Sequence, residues 1–161
     1  MAYPAHVWIK DNEGNEIVGG CTQAGREGSI EALAFEHELQ LPKDPVSSKA
    51  QGVRRHKPVK FLKEFDQASP LLYKACCEGQ LLQEVRIDWY TGDASGKDVV
   101  YFTHVLNNCR VTQVRARMHN THDPQTKDLG HEEEVEIVYS KISWRHEGEK
   151  VEHIDDWEAP A

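Results

Sequence analysis

Apolar and polar residues alternate with a period of two along most of the chain, which is the period of a strand that buries one of its faces. In the longest run, Ser29–Leu41, one face carries Leu33, Phe35, Leu39 and Leu41, and the other carries Ala34, Glu36 and Glu38. Further strands are predicted at Ala5–Lys10, Val53–Phe65, Leu82–Tyr90, Asp98–Leu106, Arg110–Met118, Glu133–Trp144 and Val151–Trp157. The chain is therefore predicted to be mainly β.

One segment departs from this period and predicts a single helix over about residues 69–78. Ser69 is a favoured N-cap residue, Pro70 suits the first helical position, and Gly79 permits a left-handed exit. Many strands and one helix predict a β-barrel of two packed antiparallel sheets with a flanking α-helix. The chain length of 161 residues fits one domain, residues 1–161.

The overall charge and the N-terminus exclude several classes of partner. With 19 basic and 27 acidic residues the formal net charge is −8, which disfavours binding to the phosphate backbone of nucleic acid. The sequence contains no apolar run of the roughly 20 residues that a membrane-spanning helix needs. Residues 1–10 lack the pattern of a signal peptide. Neither nucleic acid nor membrane is expected as a partner.

Charge is distributed unevenly along the chain. Residues 49–63 contain six basic residues and no acidic one, whereas residues 131–161 contain ten acidic and three basic residues. Such polarity favours head-to-tail binding between copies of the chain. The alternative is that both runs are solvated surfaces without a partner.

The sequence contains no convincing catalytic motif. It has no nucleophile elbow, no phosphate-binding glycine loop and no dinucleotide fingerprint. His119, His122 and His131 are the best candidates for a metal-dependent hydrolase, but they lie among turn residues that are typical of a solvated loop. The prediction is a protein that is not an enzyme, with no catalytic residue, no cofactor and no metal site.

A family resemblance extends over essentially the whole chain. The segment His56–Gly79, HKPVKFLKEFDQASPLLYKACCEG, resembles the strand-to-helix segment of Hcp, the haemolysin-coregulated protein of type VI secretion systems. Residues 3–10, residues 29–37, Ile142–Trp144 and Asp156-Trp157 resemble Hcp as well. The run Asp66–Pro70 and the loop Pro42–Gly52 depart from the pattern of some members, and only the loop conformation is left open by these differences.

The resemblance implies an Hcp-like, phage tail-tube-like β-barrel that assembles into hexameric rings. These rings stack into a hollow tube whose lumen carries effector proteins. The implied partners are further copies of the chain, the effector proteins, and the sheath, tip and baseplate proteins of the apparatus. The implied location is cytoplasmic before firing and secreted afterwards, by a route that needs no signal peptide.

Two surfaces are assigned to this assembly. The strand that matches residues 29–41 contributes to the inner wall in the family, so Ala34, Glu36 and Glu38 are predicted to face the lumen. An extended loop of about residues 42–56 reaches toward the next ring in the family. Stacking is therefore predicted to pair basic with acidic residues of adjacent rings, the candidates being Arg54, Arg55 and Lys57 with Glu132, Glu133 and Glu134. The main alternative is a small-ligand-binding β-barrel, which would require an apolar interior cavity.

Overall fold

The structure is a computed structural model, and it describes residues 3–157. These residues form twelve strands and one helix, α1, over Ser69–Glu78. The strands are β1 Ala5–Lys10, β2 Glu16–Ile17, β3 Ile30–Ala32, β4 Ala34–Glu36, β5 Leu39–Gln40, β6 Arg55–His56, β7 Val59–Glu64, β8 Leu82–Gly92, β9 Asp98–Arg117, β10 Glu132–Val138, β11 Lys141–His146 and β12 Val151–Asp156. The predicted domain of residues 1–161 includes residues 1–2 and 158–161, which lie outside the described ones.

Two antiparallel sheets share the long strand β9. The first sheet has the order β2-β1-β8-β9-β11-β12, with β3 also paired to β1, and the second has the order β9-β10-β7-β4. Their facing sides enclose a core that includes Ile87, Leu106 and Phe61. At the other side of the core the chain passes from β3 to β4, where the Leu33 N–H donates to the Leu62 carbonyl (2.7 Å). The predicted class, mainly β with two packed sheets and one flanking helix, is confirmed.

Two predicted strand boundaries are wrong because strands pass between the sheets. The predicted strands at 98–106 and 110–118 form the single strand β9, which pairs with β8 in the first sheet and with β10 in the second. The predicted strand at 133–144 is instead two strands, β10 and β11, separated at Tyr139-Ser140. In β9 the buried face shifts from Leu106 to Cys109 across Asn108, whose φ is 52°, so the break in alternation there is an irregularity within one strand and not its end.

The run at 29–41 is also not one strand, and most of its predicted apolar face is exposed. Ile30 and Ala32 are buried in β3, whereas Leu33 and Leu39 are exposed and Phe35 is half-buried. The chain leaves the first sheet after β3 and joins the second at β4, so the bend at Leu33 shifts the alternation between these strands.

The helix has the predicted bounds, but its N-cap differs from the prediction. Ala68 occupies the cap position, its N–H donates to Asp66 Oδ1 (3.0 Å), and Ser69 is the first helical residue. Gly79 ends the helix with φ of 60°, as predicted. Nowhere in residues 3–157 is there a helix long and apolar enough to span a membrane.

The predicted loop at 42–56 is largely a hairpin. Strands β5 and β6 pair with each other, separately from both sheets, and Lys43 and Ala50 form a further bridge. The Gln51 N–H donates to the Pro42 carbonyl (2.7 Å), which closes the hairpin near its end. We call residues 39–56 the arm.

Candidate assembly surfaces

The side of the second sheet that faces away from the core contains two of the three lumen candidates. We call this side the second-sheet face. Ala34 and Glu36 are exposed on the edge strand β4. Glu36 lies opposite Lys60 on β7, and Lys60 lies opposite Glu136 on β10. The alternate residues of these strands, such as Phe61, point into the core. The second-sheet face is therefore a solvent-facing surface with charges of both signs.

The third lumen candidate, Glu38, lies beyond the end of β4 at the root of the arm. Its carboxylate is 3.2 Å from the ammonium group of Lys57, and both side chains are about half exposed. A predicted lumen residue and a predicted stacking residue thus pair with each other within one chain. Any substitution of Glu38 also changes the root of the arm.

Glu133 is wrong as a stacking residue because its side chain is completely buried (0% exposed). It contacts the ammonium group of Lys63, itself buried, and accepts a hydrogen bond from Ser69 Oγ (2.5 Å). Lys63 also lies 2.9 Å from Asp66 Oδ1. Successive residues of a strand point to opposite faces, and Glu133 is on the face of β10 that is turned inward. Through its hydrogen bond with Ser69, Glu133 links the start of α1 to the second sheet.

Glu132 is also buried and is wrong as a docking residue for another ring. It accepts a hydrogen bond from His119 Nε2 (3.2 Å) and lies 3.7 Å from Arg117 Nη2. Glu134 is half-buried on the second-sheet face, opposite Leu62. The only one of the three acidic candidates that stays accessible therefore shares a face with the lumen candidates.

The three histidines of the metal alternative do not form a site in the described part of the chain. No group of three or more His, Cys, Asp or Glu side chains within residues 3–157 is arranged to hold a metal ion. His131 packs against Phe65, with ring centroids 5.9 Å apart, and His119 binds Glu132.

A polar cluster that the sequence did not reveal anchors the root of the arm. The hydroxyl group of Tyr139 lies 2.7 Å from His37 Nε2 and 2.8 Å from His56 Nδ1. His56 Nε2 lies 2.7 Å from Asp155, whose carboxylate also accepts two hydrogen bonds from Arg54 (2.6 and 2.9 Å). Arg54 is therefore engaged within its own chain. We call these five residues the arm anchor.

Burial sets the protonation of several histidines. It lowers the pKa of His104 to about 4, with a smaller effect of nearby His37, and it lowers the pKa of His6 to about 4 together with the charge of Arg26. Burial and the proximity of His56 also lower the pKa of His37. In the arm anchor, the hydrogen bond from Arg54 is the main reason that the pKa of Asp155 is lowered. Because their pKa values are lowered, His6, His37 and His104 are neutral at pH 7.

Comparison with known proteins finds relatives that are similar to this chain in architecture and in sequence. The family model described as "Type VI secretion system effector, Hcp" matches residues 7–146. The "Major exported protein" of Pseudomonas aeruginosa is 40% identical, and the alignment covers 99% of this chain and 98% of that protein. The structure of Hcp1 from E. coli EAEC 042 is 40% identical, with a TM-score of 0.88 over 97% of this chain and 99% of that one. The secreted protein Hcp3 of P. aeruginosa is 32% identical, with a TM-score of 0.80 over 98% of this chain and all of that one.

The fold consists of two sheets that share strand β9 and of one flanking helix. Together with the matches above, this fold defines a structural component of a type VI secretion tube. The chain belongs to the Hcp family.

Proposed function

We propose that six copies of this chain close into a ring, that rings stack into a hollow tube, and that the lumen carries effector proteins. The observation that carries this proposal, beside family membership, is that among residues 3–157 each sheet ends in a strand with an unpaired edge, β12 in the first sheet and β4 in the second. Within the described residues β4 pairs only with β7, and β12 pairs only with β11. Val151 and Ile154 on β12 are exposed, so this edge also presents apolar surface. Open edges of this kind are stabilised by pairing with another copy.

The alternative function, a small-ligand-binding β-barrel, requires an apolar interior cavity, but the space between the sheets is filled. Phe61, Ile87 and Leu106 are buried in the centre of one continuous apolar cluster. Size-exclusion chromatography at micromolar concentration separates the two functions. The proposal predicts a particle of about six times the chain mass of 18.4 kDa, and a ligand carrier would elute as a monomer.

The second-sheet face is proposed to line the lumen and to contact the effector proteins. Replacing both Glu36 and Glu38 with lysine should alter retention of co-expressed effector proteins while rings remain intact, because the substitutions reverse two charges on or beside this face. Retention is measured by co-purification with the assembled particle. Glu36→Lys alone tests the second-sheet face without changing the root of the arm, where Glu38 contacts Lys57. Glu13→Lys in the exposed β1–β2 turn is the matched control. Unchanged retention of every effector by the double variant would contradict the lumen assignment.

Stacking between rings is proposed to depend on charge. Arg55 and Lys57 are the exposed candidates; Arg54 supports the arm anchor, so Arg54→Glu would damage the arm itself. Exposed ion pairs are individually weak and screened by salt, but a hexameric contact repeats each pair six times. Raising the salt concentration should therefore separate stacks before rings, because ring closure buries surface that salt does not weaken. Sedimentation across a salt series tests this, and stacks that persist unchanged into molar salt would show that the contact is not electrostatic.

The tube is proposed to assemble in the cytoplasm, within a sheath and on a baseplate, and to leave the cell behind a tip. Support comes from the similarity to a "Major exported protein".

A further inference from the structure

The arm is joined to the two sheets and the helix, which we call the body, by side chains rather than by strand pairing. Within residues 3–157, β5 and β6 pair with each other and with no other strand. The hydrogen bonds that connect residues 39–56 to the rest of the described chain are those of Arg54 with Asp155 and those of His56 with Asp155 and Tyr139. The position of the arm therefore depends on the arm anchor.

Hydrogen-bond geometry assigns the protons of the arm anchor. The ionised carboxylate of Asp155 can only accept, so His56 donates to it through Nε2 (2.7 Å). A neutral imidazole then has an acceptor at Nδ1, and the hydroxyl group of Tyr139 donates to that nitrogen (2.8 Å). The Tyr139 oxygen in turn accepts from Nε2 of His37 (2.7 Å). The hydrogen bonds thus run in one direction, from His37 through Tyr139 and His56 to Asp155.

A further proton disrupts this chain of hydrogen bonds. A proton on Nδ1 of His56 points at the hydroxyl proton of Tyr139, so two donors face each other. Tyr139 is buried, and its hydroxyl group then lacks an acceptor, which is unfavourable. The His56 side chain is only 1% exposed, so water does not solvate its charge. Protonation therefore weakens the contact between the arm and the body.

Protonation also gives the arm anchor an excess of positive charge. At neutral pH the guanidinium group of Arg54 balances the carboxylate of Asp155. The hydrogen bond from Arg54 lowers the pKa of Asp155, so this carboxylate stays ionised while the histidines take up protons. With His37 and His56 both charged, three cations share one carboxylate. Repulsion between them favours separation of the arm.

The other titratable and charged groups around the anchor do not offset this charge. They are the pair Glu38 and Lys57 at the root of the arm, His104 and Cys109 on β9, and His153 on β12, which stacks on the same Trp144 ring as His37. Glu38 is already paired with Lys57 (3.2 Å). Burial raises the pKa of the Cys109 thiol to about 12, so the thiol stays neutral. The two histidines can only add positive charge.

Separation of the arm from the body relieves both effects. It opens the contact between His37, His56 and Tyr139, so that water can solvate the charged imidazoles. The released state therefore binds protons more readily than the docked state, and its population rises as the pH falls.

We propose that the arm anchor is an acid-operated release: at about pH 5–6, protonation of His37 and His56 separates the arm from the body while both sheets stay folded. The released hairpin has only two strands, so it loses its own order as well. The release itself does not depend on assembly. Its consequence rests on the proposed function: because Arg55 lies in the arm and Lys57 at its root, stacked rings should separate in acid.

Hydrogen–deuterium exchange of the full chain at pH 7.5, 6 and 5 tests the release, with rates corrected for the intrinsic effect of pH. The salt concentration is one at which sedimentation shows no stacks, so that no neighbouring ring protects the arm. Peptides from the arm should exchange at pH 5 as fast as an unfolded peptide, while peptides from β8 remain protected. An arm that stays protected at pH 5, or that loses protection only together with β8, would overturn the inference.

Two variants connect the release to the anchor. His37→Gln keeps an N–H donor for Tyr139 but cannot take up a second proton, so the opening equilibrium of the arm at pH 5 should fall about tenfold relative to wild type. His153→Gln, which replaces an exposed histidine outside the anchor, is the matched control and should not change it. Tyr139→Phe removes the central hydroxyl group and should release the arm at neutral pH. Wild-type exchange of the arm in either anchor variant would overturn the inference.

Sedimentation of the same samples at low salt separates this inference from the proposed function. Stacks at pH 7.5 that become single rings at pH 5 support both. Rings whose arm keeps its protection at pH 5 contradict the acid-operated release alone. A chain that is monomeric at both pH values contradicts the proposed assembly, whereas the exchange of its arm still tests the release.

Discussion

Replacing Glu133 with leucine should lower the free energy of unfolding by about 2–3 kcal/mol, because the buried ammonium group of Lys63 loses its closest charged partner. Both side chains are fully buried, and among the described residues Lys63 then keeps Asp66 and Ser69 as polar neighbours. Glu133 Oε2 has no hydrogen-bond partner among the described residues, so this carboxylate depends strongly on the Lys63 contact. Urea unfolding at a fixed protomer concentration measures the change, since assembly also affects apparent stability.

The double variant Lys63→Met with Glu133→Leu should recover most of the lost stability, because it removes both charges together. Lys60→Met is the matched control: it lies on the outward face of the same strand and should change the free energy of unfolding by only about 0.5 kcal/mol or less. Equal losses for the single and double variants would show that the two charges are not coupled.

Acidification should destabilise the protomer between pH 6.5 and pH 4. His104 has an ordinary pKa of 6.5 when unfolded and about 4 when folded. The unfolded chain therefore binds protons first as the pH falls, and folding stability falls with it. At pH 5 the expected loss from His104 is about 2 kcal/mol relative to neutral pH. His6 and His37 act in the same direction, because their pKa values are also lowered.

His104→Asn isolates this contribution. His104 Nδ1 accepts a hydrogen bond from Trp89 Nε1 (2.9 Å), and the amide oxygen of asparagine, which is equally far from Cβ, can replace that acceptor. The difference in stability between pH 8 and pH 5 should shrink by about 2 kcal/mol in the variant. His153→Asn, which replaces an exposed histidine, should leave the difference unchanged. A pH profile that is identical in wild type and His104→Asn would contradict the assignment.

Local sequence patterns predicted the elements well but not their division between sheets. Helix α1 was predictable because Pro70 and Gly79 restrict the backbone near its two ends. Strand β9 was not, because its alternation breaks at Asn107-Asn108, which is typical of a strand end, although the strand continues through this point from one sheet to the other. Likewise, the change of sheet at Leu33 depends on pairing with distant strands.

The burial of Glu133 had a signal in the sequence. Glu133, Val135 and Ile137 share one face of β10, and the last two are apolar, so this face was the one to expect in the core. Lys63 continues the buried row of Val59 and Phe61 in the same way. A charge of each sign in two apolar rows indicates a buried ion pair.

The arm anchor had no comparable signal. His37, His56, Tyr139 and Asp155 are brought together from four separate parts of the chain. No spacing rule relates such residues before the fold is known. The candidates for lumen and stacking therefore depended on family resemblance, and the structure then separated the accessible residues from the buried ones.

If this chain forms a hollow ring, negative-stain imaging of the purified protein should show ring-shaped particles of six subunits with an open centre at micromolar protein concentration. A field of monodisperse particles of single-chain size, or compact oligomers with a closed centre, would contradict it.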